Sequence, residues 1–285
     1  MQLSYLTKPA IKAFIKQSFK EDVGDGDHSS LAAIPSDSES KAQLLIKGDG
    51  ILAGIELAEN IFEYFDPQLE VNKLLKDGDR VKSGDVGFTI QGKAQSILTC
   101  ERLVLNCMQR MSGIATYTVH LKSLIKGSKA QLLDTRKTTP NFRLAEKWAV
   151  AIGGGKNHRF GLYDMVMLKD NHIDFAGGIV NAIKATKLYL ANNNKDLKIE
   201  IETRSLDEVR QVLSVGGVDI IMLDNMMPST MKEAVKLIDG EYQTEASGGI
   251  TENTIAEVAD CGVDFISVGA LTHSVKSMDI SLKAL

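Results

Sequence analysis

The sequence predicts an α/β protein whose second part is a parallel sheet covered by helices. Three observations carry that prediction. From about residue 130, short β-rich runs alternate with helical patterns: the runs are QLLDTRK, DMVMLKD, KIEIET, VDIIMLD, YQTEAS and VDFISVG. Helical patterns fall between the later ones, at about 175–194, 205–214, 229–239 and 251–260. A β-α-β-α rhythm calls for parallel strands with helices on their faces. Each apolar run also ends in a charged, hydroxyl or glycine residue at its C-terminal edge. Finally, no G-x-G-x-x-G opens the first unit, and the GGG at 153–155 follows a helical segment, not a strand, so a dinucleotide fold loses ground. Six strands suit an α/β barrel or a doubly wound sheet.

The first hundred residues are mixed. Ile11, Phe14, Ile15 and Phe19 repeat at helical spacing between Lys8, Lys12 and Lys16, which predicts an amphipathic helix over 8–20 packed on the body. KAQLLIK and GDVGFTI read as strands, and DGDRVKSGDVGFTIQG as a β-hairpin with Gly/Asp turns. That hairpin is similar to those of biotin- and lipoyl-carrying domains, but Lys93 in QGKAQ lacks the acidic or methionine-flanked setting a carrier lysine needs. In TCERLVLNCMQRMSGIATYT, Thr99 suits an N-cap, Glu101 a first turn, and Leu103, Leu105, Met108 and Met111 a buried helix face. Ser112-Gly113 reads as a break, and Arg102 as a solvated helix charge.

At 285 residues, 44% apolar and 25% charged, the chain can bury a full core. A net charge of −4 argues against non-specific nucleic-acid binding. Between Asp134 and Asp170, however, seven cations face four acids, a local excess of +3. Such a field attracts a small anion without making the whole surface adhesive. Cys100, Cys107 and Cys261 form no C-x-x-C pair and fit packing roles in a reducing compartment. No apolar run approaches the ~18 residues of a membrane span, and the expectation is a cytoplasmic protein.

In a barrel, the C-terminal strand ends open on one face, where active sites lie. Here those ends sort by chemistry. Arg136, Lys137, Arg159 and Lys169 are cationic, with His158 beside them in GGGKNHRFG, where three glycines allow a tight loop. Glu202 and Asp224 are two acids able to hold Mg²⁺, directly or through water, or to bind sugar hydroxyls. Ser205 already serves as a helix cap, which leaves Glu202 free, whereas Asp224-Asn225 could cap the helix after Pro228. Ser247-Gly248-Gly249 and Gly269-Ala270 end the last two strands, where barrels commonly bind phosphate, helped by the following helix N-termini. The rim suits a phosphorylated sugar, such as one carrying a 5′-phosphate and a pyrophosphate, beside a second anion.

LLDTRKTTPNFRLAEKWAVAIGGGKNHRFGLYDMVMLKDNHI strongly resembles the quinolinate phosphoribosyltransferase family, the nicotinate-nucleotide pyrophosphorylases (carboxylating). The resemblance extends through CERLVLNCMQRMSGIAT, IEIET, IMLDNM, EASGGI and DFISVGALTHS, and through EDVGDGDHSS, where Ser29 replaces the family's usual threonine. It implies an N-terminal α/β sandwich over residues 1–115 and an incomplete, TIM-like C-terminal α/β barrel over 116–275. Residues 276–285 would return to the first domain. It implies Mg²⁺-dependent transfer of phosphoribosyl from phosphoribosyl pyrophosphate (PRPP) to quinolinate, releasing CO₂ and pyrophosphate and giving nicotinate mononucleotide for NAD synthesis. It implies a homodimer with shared active sites, or a higher oligomer of it. Residue by residue, Arg102 from a partner subunit, Arg136, His158, Arg159 and Lys169 resemble the quinolinate cradle. Lys137, Glu202 and Asp224, together with Ser247, Gly248, Gly249, Gly269 and His273, resemble the groups that take PRPP. Lys137, Lys169, Glu202 and Asp224 stand nearest the chemistry, and Glu202 and Asp224 nearest the metal. The resemblance thereby reverses the sequence-only reading of Arg102.

Two other enzymes fit the strand ends. One is a lyase forming a Schiff base through Lys169 or Lys137, which borohydride trapping would reveal. The other is a phosphoribosyltransferase for a different base on the same scaffold. A non-catalytic carrier module does not account for the strand-end residues.

Overall fold

A computed structural model of the chain describes residues 3–285. By compactness these form two units: residues up to Val119 with Lys137–Gly154 and Ala270–Leu285, and His120–Arg136 with Gly155–Gly269.

The first unit is built on an antiparallel sheet. It opens with α1 (Lys8–Asp22), whose Thr7 N-cap accepts from Ala10 N at 3.3 Å and which buries Ile11, Ile15 and Phe19. A short α2 (His28–Ala33) follows, capped by Asp27. Strands β1 (Glu39–Ile46) and β2 (Gly50–Ile51) lead into α3 (Ile55–Phe65), then β3 (Glu70–Lys73), β4 (Arg80–Val81) and β5 (Val86–Lys93). Helix α3 packs on the sheet through Phe62, which meets Phe88 edge-on at 5.8 Å between ring centroids.

The expected hairpin over DGDRVKSGDVGFTIQG does not form. β4 pairs with β2, while β5 pairs with β1 and β3. The intervening turn is stitched to the end of β1 instead: Gly84 N donates to Ile46 O, and Ile46 N to Asp85 O, both at 2.9 Å. The chain therefore crosses from one small sheet to another and does not fold back on itself.

Helix α4 (Ala94–Leu124) is one continuous element of 31 residues, neither starting at Thr99 nor breaking at Ser112-Gly113. Thr99 Oγ1 donates to the Gln95 carbonyl at 2.9 Å, as a mid-helix threonine does. Ser112 Oγ accepts from Ala53 N at 2.9 Å and donates to Ala53 O at 3.1 Å. A Cβ on Gly113 would lie 2.3 Å from the Lys276 carbonyl oxygen, so this glycine serves close backbone approach. The same unit holds α5 (Arg143–Ile152), and its sheet is completed by the last strand of the chain, β12 (Ile280–Ala284), in the order β12-β1-β5-β3.

The second unit is a six-stranded parallel sheet, ordered β6-β11-β10-β9-β8-β7. Its strands are β6 (Gln131–Leu133), β7 (Val166–Leu168), β8 (Ile199–Thr203), β9 (Ile220–Asp224), β10 (Gln243–Ser247) and β11 (Phe265–Ser267). β6 and β11 are neighbours while β6 and β7 are not, so the strands run round as an α/β barrel with one unpaired seam. Lys156 makes an isolated parallel bridge to Leu133 beside that seam. The connecting helices are α6 (Asp170–Phe175), α7 (Ile179–Asn192), α8 (Leu206–Val215), α9 (Pro228–Ile238) and α10 (Ile255–Ala259), and α11 (Ala270–His273) follows β11. Ser205 caps α8 as expected, accepting from Glu208 N at 3.3 Å. α10 is shorter than its pattern predicted and begins six residues after Gly249, so no helix N-terminus directly follows the SGG turn. Met227, not Asp224 or Asn225, is the N-cap of α9.

Candidate active site

Strand alternation decides what the barrel can do. Side chains at every second position share a face. Registers Met167↔Glu200, Glu202↔Met222, Asp224↔Ser247 and Glu245↔Phe265 therefore set Met167, Glu200, Glu202, Met222, Asp224, Glu245 and Ser247 on one face. The other face carries buried Ile199, Ile201, Ile221, Leu223 and Ala246. Helix α8 packs against β8, and α7, α8 and α9 pack in series. The polar face is thus the barrel interior.

Lys169 follows β7 and lies level with Glu202 on β8. Its Nζ donates to Glu202 Oε1 at 2.7 Å, and Asp170 N donates to Oε2 at 3.2 Å. Glu202 is buried and Lys169 half-exposed, so the ammonium reaches solvent from a fixed base. Asp224 sits two positions beyond Met222 and accepts from Asn225 Nδ2 at 2.7 Å. Ser247 is its neighbour on β10, followed by Gly248 and Gly249 with φ of +93° and +60°. A Cβ at Gly248 would stand 2.3 Å from Asn225 Oδ1. Only glycine fits there, and successive exposed N–H groups in such a turn favour anions. Gly269 ends the β11 segment, half-buried.

The loop from 156 to 160 enters the barrel. Asp134, fully buried after β6, holds it by accepting from Asn157 Nδ2 at 2.6 Å and from His158 N at 2.9 Å. Arg159 extends from this loop, donating to Met165 O at 3.1 Å and to Met167 Sδ at 3.5 Å. No carboxylate lies within ion-pair distance of its guanidinium among the described residues. Burial first, and then the positive charge of Arg136, lower its pKa. Arg136 is thus near enough for its charge to be felt at Arg159, where Glu200, Asp164 and Glu202 act in the opposite direction.

His158 is turned inward. Its Nε2 lies 2.8 Å from Glu200 Oε2 and 3.4 Å from Glu245 Oε2, both carboxylates fully buried. The N–H axis points squarely at neither carboxylate. Burial disfavours a charged ring, whereas the neighbouring Glu200 and Glu245 carboxylates favour one. The backbone opposes this: Arg159 N donates to His158 Nδ1 at 2.7 Å, where a second ring proton would have to sit. Geometry decides in favour of a single ring proton, on Nε2. The next proton belongs to the carboxylates, where burial pushes Glu200 up to about 7.

Three residues expected near the site belong to the first unit. Lys137 is exposed, and its carbonyl accepts from Thr272 Oγ1 at 2.8 Å. His273 is exposed on α11, its Nδ1 2.6 Å from Ser274 Oγ. Arg102 is exposed on α4. Sequence reasoning did not single out Glu200, Glu245 or the loop-holding role of Asp134. The available signal was alternation: a glutamate at the second position of IEIET and the third of QTEAS falls on the same face as Glu202. A hollow of about 370 Å³ at the opposite strand ends, lined by Lys129, Asp219, Gln243 and Asp264, has its polar groups committed locally. Lys129 Nζ pairs with Asp264 at 2.7 Å, and Ile199 N donates to Asp219 at 2.7 Å.

An incomplete α/β barrel, with paired guanidiniums, a lysine–glutamate couple and glycine turns at its C-terminal strand ends, defines an enzyme class that binds anionic substrates at that rim. The chain belongs to the quinolinate phosphoribosyltransferase family. The family's C-terminal domain matches residues 114–283 and its N-terminal domain residues 27–112. The chain is 50% identical over 288 residues to the chloroplastic nicotinate-nucleotide pyrophosphorylase (carboxylating) of Arabidopsis thaliana, covering 96% of this chain and 82% of that one. It is similar to the crystal structure of NadC from Streptococcus pyogenes, with TM-score 0.91, 40% identity, and 98% and 99% of the two chains covered. The nicotinate-nucleotide pyrophosphorylase from Francisella tularensis superposes with TM-score 0.91 at 38% identity, over 100% of this chain and 99% of that one. No helix among the described residues is long and apolar enough to cross a membrane.

Proposed function

We propose that this protein transfers the phosphoribosyl group of PRPP to quinolinate and decarboxylates the adduct, giving nicotinate mononucleotide, CO₂ and pyrophosphate. Family membership supports the reaction. The observation that carries the site is the Arg159 guanidinium, which donates to Met165 O and Met167 Sδ and has no ion-paired carboxylate among the described residues. Two guanidiniums and the Lys169 ammonium match the two carboxylates of a pyridine dicarboxylate.

Arg136, Arg159 and Lys169 orient the pyridine so that its nitrogen faces C1 of the ribose, and proximity supplies much of the acceleration. The nitrogen lone pair forms the N–C1 bond as the C1–O bond breaks, and pyrophosphate leaves with the electron pair. Glu202 and Asp224 accept from ribose hydroxyls and tolerate positive charge developing at C1. Lys169 pairs with Glu202, so a bound substrate must share or open that pair. The turns at Ser247, Gly248, Gly249 and Gly269 take the phosphates. The quaternised ring nitrogen then stabilises the electron pair left at C2 when CO₂ departs, and a proton replaces it.

Glu202 and Asp224 offer hard oxygen donors, which fit Mg²⁺. When bound, the metal offsets the charge of the pyrophosphate. The active form is a homodimer in which Arg102 of one subunit completes the other's quinolinate pocket, in keeping with its exposure on α4. Three buried free thiols support a reducing compartment, the cytoplasm.

The test is purified protein with quinolinate, PRPP and Mg²⁺, assayed for CO₂ and nicotinate mononucleotide, with and without EDTA. Product should form, and EDTA should abolish it. Nicotinate in place of quinolinate should give no comparable rate, and equal turnover of the two acids would refute the assignment. For the shared site, Arg102→Ala and Lys169→Ala chains mixed after unfolding should regain activity that neither homodimer has.

A further inference from the structure

We propose that Glu200 and Glu245 are positioning residues for the quinolinate pocket, acting through His158 on Arg159, and that His158 is itself a positioning residue and not a direct substrate ligand. This rests on the proposed role of Arg159 in binding quinolinate.

Both nitrogens of His158 are used within the protein. Nε2 lies between Glu200 and Glu245, at 2.8 and 3.4 Å, and Nδ1 accepts the Arg159 backbone N–H at 2.7 Å. The ring's side chain is only 7% exposed and both carboxylates are at 0%. The imidazole therefore links two fixed strands, β8 and β10, to the backbone of the next residue, whose guanidinium reaches outward. Asp134 fixes the same loop from the other side through His158 N and Asn157. With the loop held at both points, the backbone that carries the Arg159 guanidinium is fixed.

These three groups could also be read as a cation site, since one donor atom from each lies within 4.8 Å of the others. At 2.8 Å, Nε2 and Oε2 stand closer than two ligands of one tetrahedral metal, which would have to spread the pair apart. The geometry favours the proton.

The test is a double-mutant cycle read as separate KM values for quinolinate and PRPP. Glu200→Ala and Glu245→Ala should each raise the quinolinate KM about tenfold, with the PRPP KM changed less than about twofold. Glu200→Gln and Glu245→Gln, which keep an oxygen facing Nε2–H, should recover most of that loss. In an Arg159→Ala background the alanine changes should add less than about twofold, because they act through the group already removed. His158→Ala reads the same cycle if a buried glutamate variant does not fold. Full additivity of His158→Ala with Arg159→Ala would mean that the imidazole touches substrate independently, and the proposal falls. It falls also if both KM values rise together, if glutamine is as damaging as alanine, or if purified enzyme carries one equivalent of metal that Glu245→Gln loses. An Arg159→Ala enzyme with unchanged quinolinate KM would instead remove the pocket assignment itself, and the positioning role with it.

Discussion

Glu146 is a buried charge whose loss has a calculable effect on stability. It lies on α5 and is fully buried. Its Oε1 accepts from Arg110 Nε and Nη2, both at 3.0 Å, and from Thr139 Oγ1 at 2.9 Å, while Oε2 accepts from Thr139 N at 3.0 Å. Arg110 also donates to the carbonyls of Thr272 and Val275. One carboxylate thus joins α4, α5, the TTP turn and the segment leading to β12. In Glu146→Ala, Arg110 keeps its carbonyl partners but loses its counter-charge, and Thr139 loses both of its bonds to the carboxylate. Breaking a buried pair from one side costs about 3–5 kcal/mol. The Arg110 side chain is 22% exposed, so water can reach it and the lower end applies. At ~2–4 °C per kcal/mol, the melting temperature should fall by roughly 6–12 °C. Glu146→Gln, which keeps an acceptor but not the charge, should fall by about half as much. Thermal melts followed by circular dichroism measure both. A Glu146→Ala melt within 2 °C of the parent would refute the reasoning.

Lys169→Ala should lower turnover by about 100-fold or more, since it removes a charged contact from the reacting centre and frees Glu202; an unchanged rate would contradict its place in the site. Gly248→Ala should raise the PRPP KM about tenfold, through strain at φ +93° and collision with Asn225, while circular dichroism shows an intact fold. Burial pushes the Cys107 thiol up to about 12 and raises those of Cys100 and Cys261, so a thiol reagent at pH 8 should label none of the three until denaturant is added. Rapid labelling of native protein would show that these sites open readily.

The barrel was legible because its strands alternate with helices and end in chemistry-bearing residues. Lys169, Glu202, Asp224 and Ser247 could be placed from that rule alone, and alternation sets Glu202, Asp224 and Ser247 on one face. The errors share a cause. Thr99, Ser112 and Gly113 were read by local propensity, which predicts a cap and a break, whereas contacts distant in sequence hold them inside one long helix. Gly113 is required by the backbone of Lys276, 163 positions away, a relation with no local signature. The β4–β5 hairpin failed likewise, because Ile46 captures the turn. Glu200 and Glu245 were overlooked because an internal strand glutamate reads as solvent-facing until the face it shares is known to be the barrel interior. Their function depends on a histidine that arrives from another loop.

The pairing of β12 with β1 has a consequence for how the polypeptide is made. Residues 280–284 lie beside 42–46, so the first sheet to be synthesised keeps a bare edge on β1 until β12 has been made. The parallel strands, whose last member ends at Ser267, are all synthesised before it. A nascent or clipped chain lacking only this short terminal stretch would expose the Leu44–Ile46 edge to any other extended segment nearby.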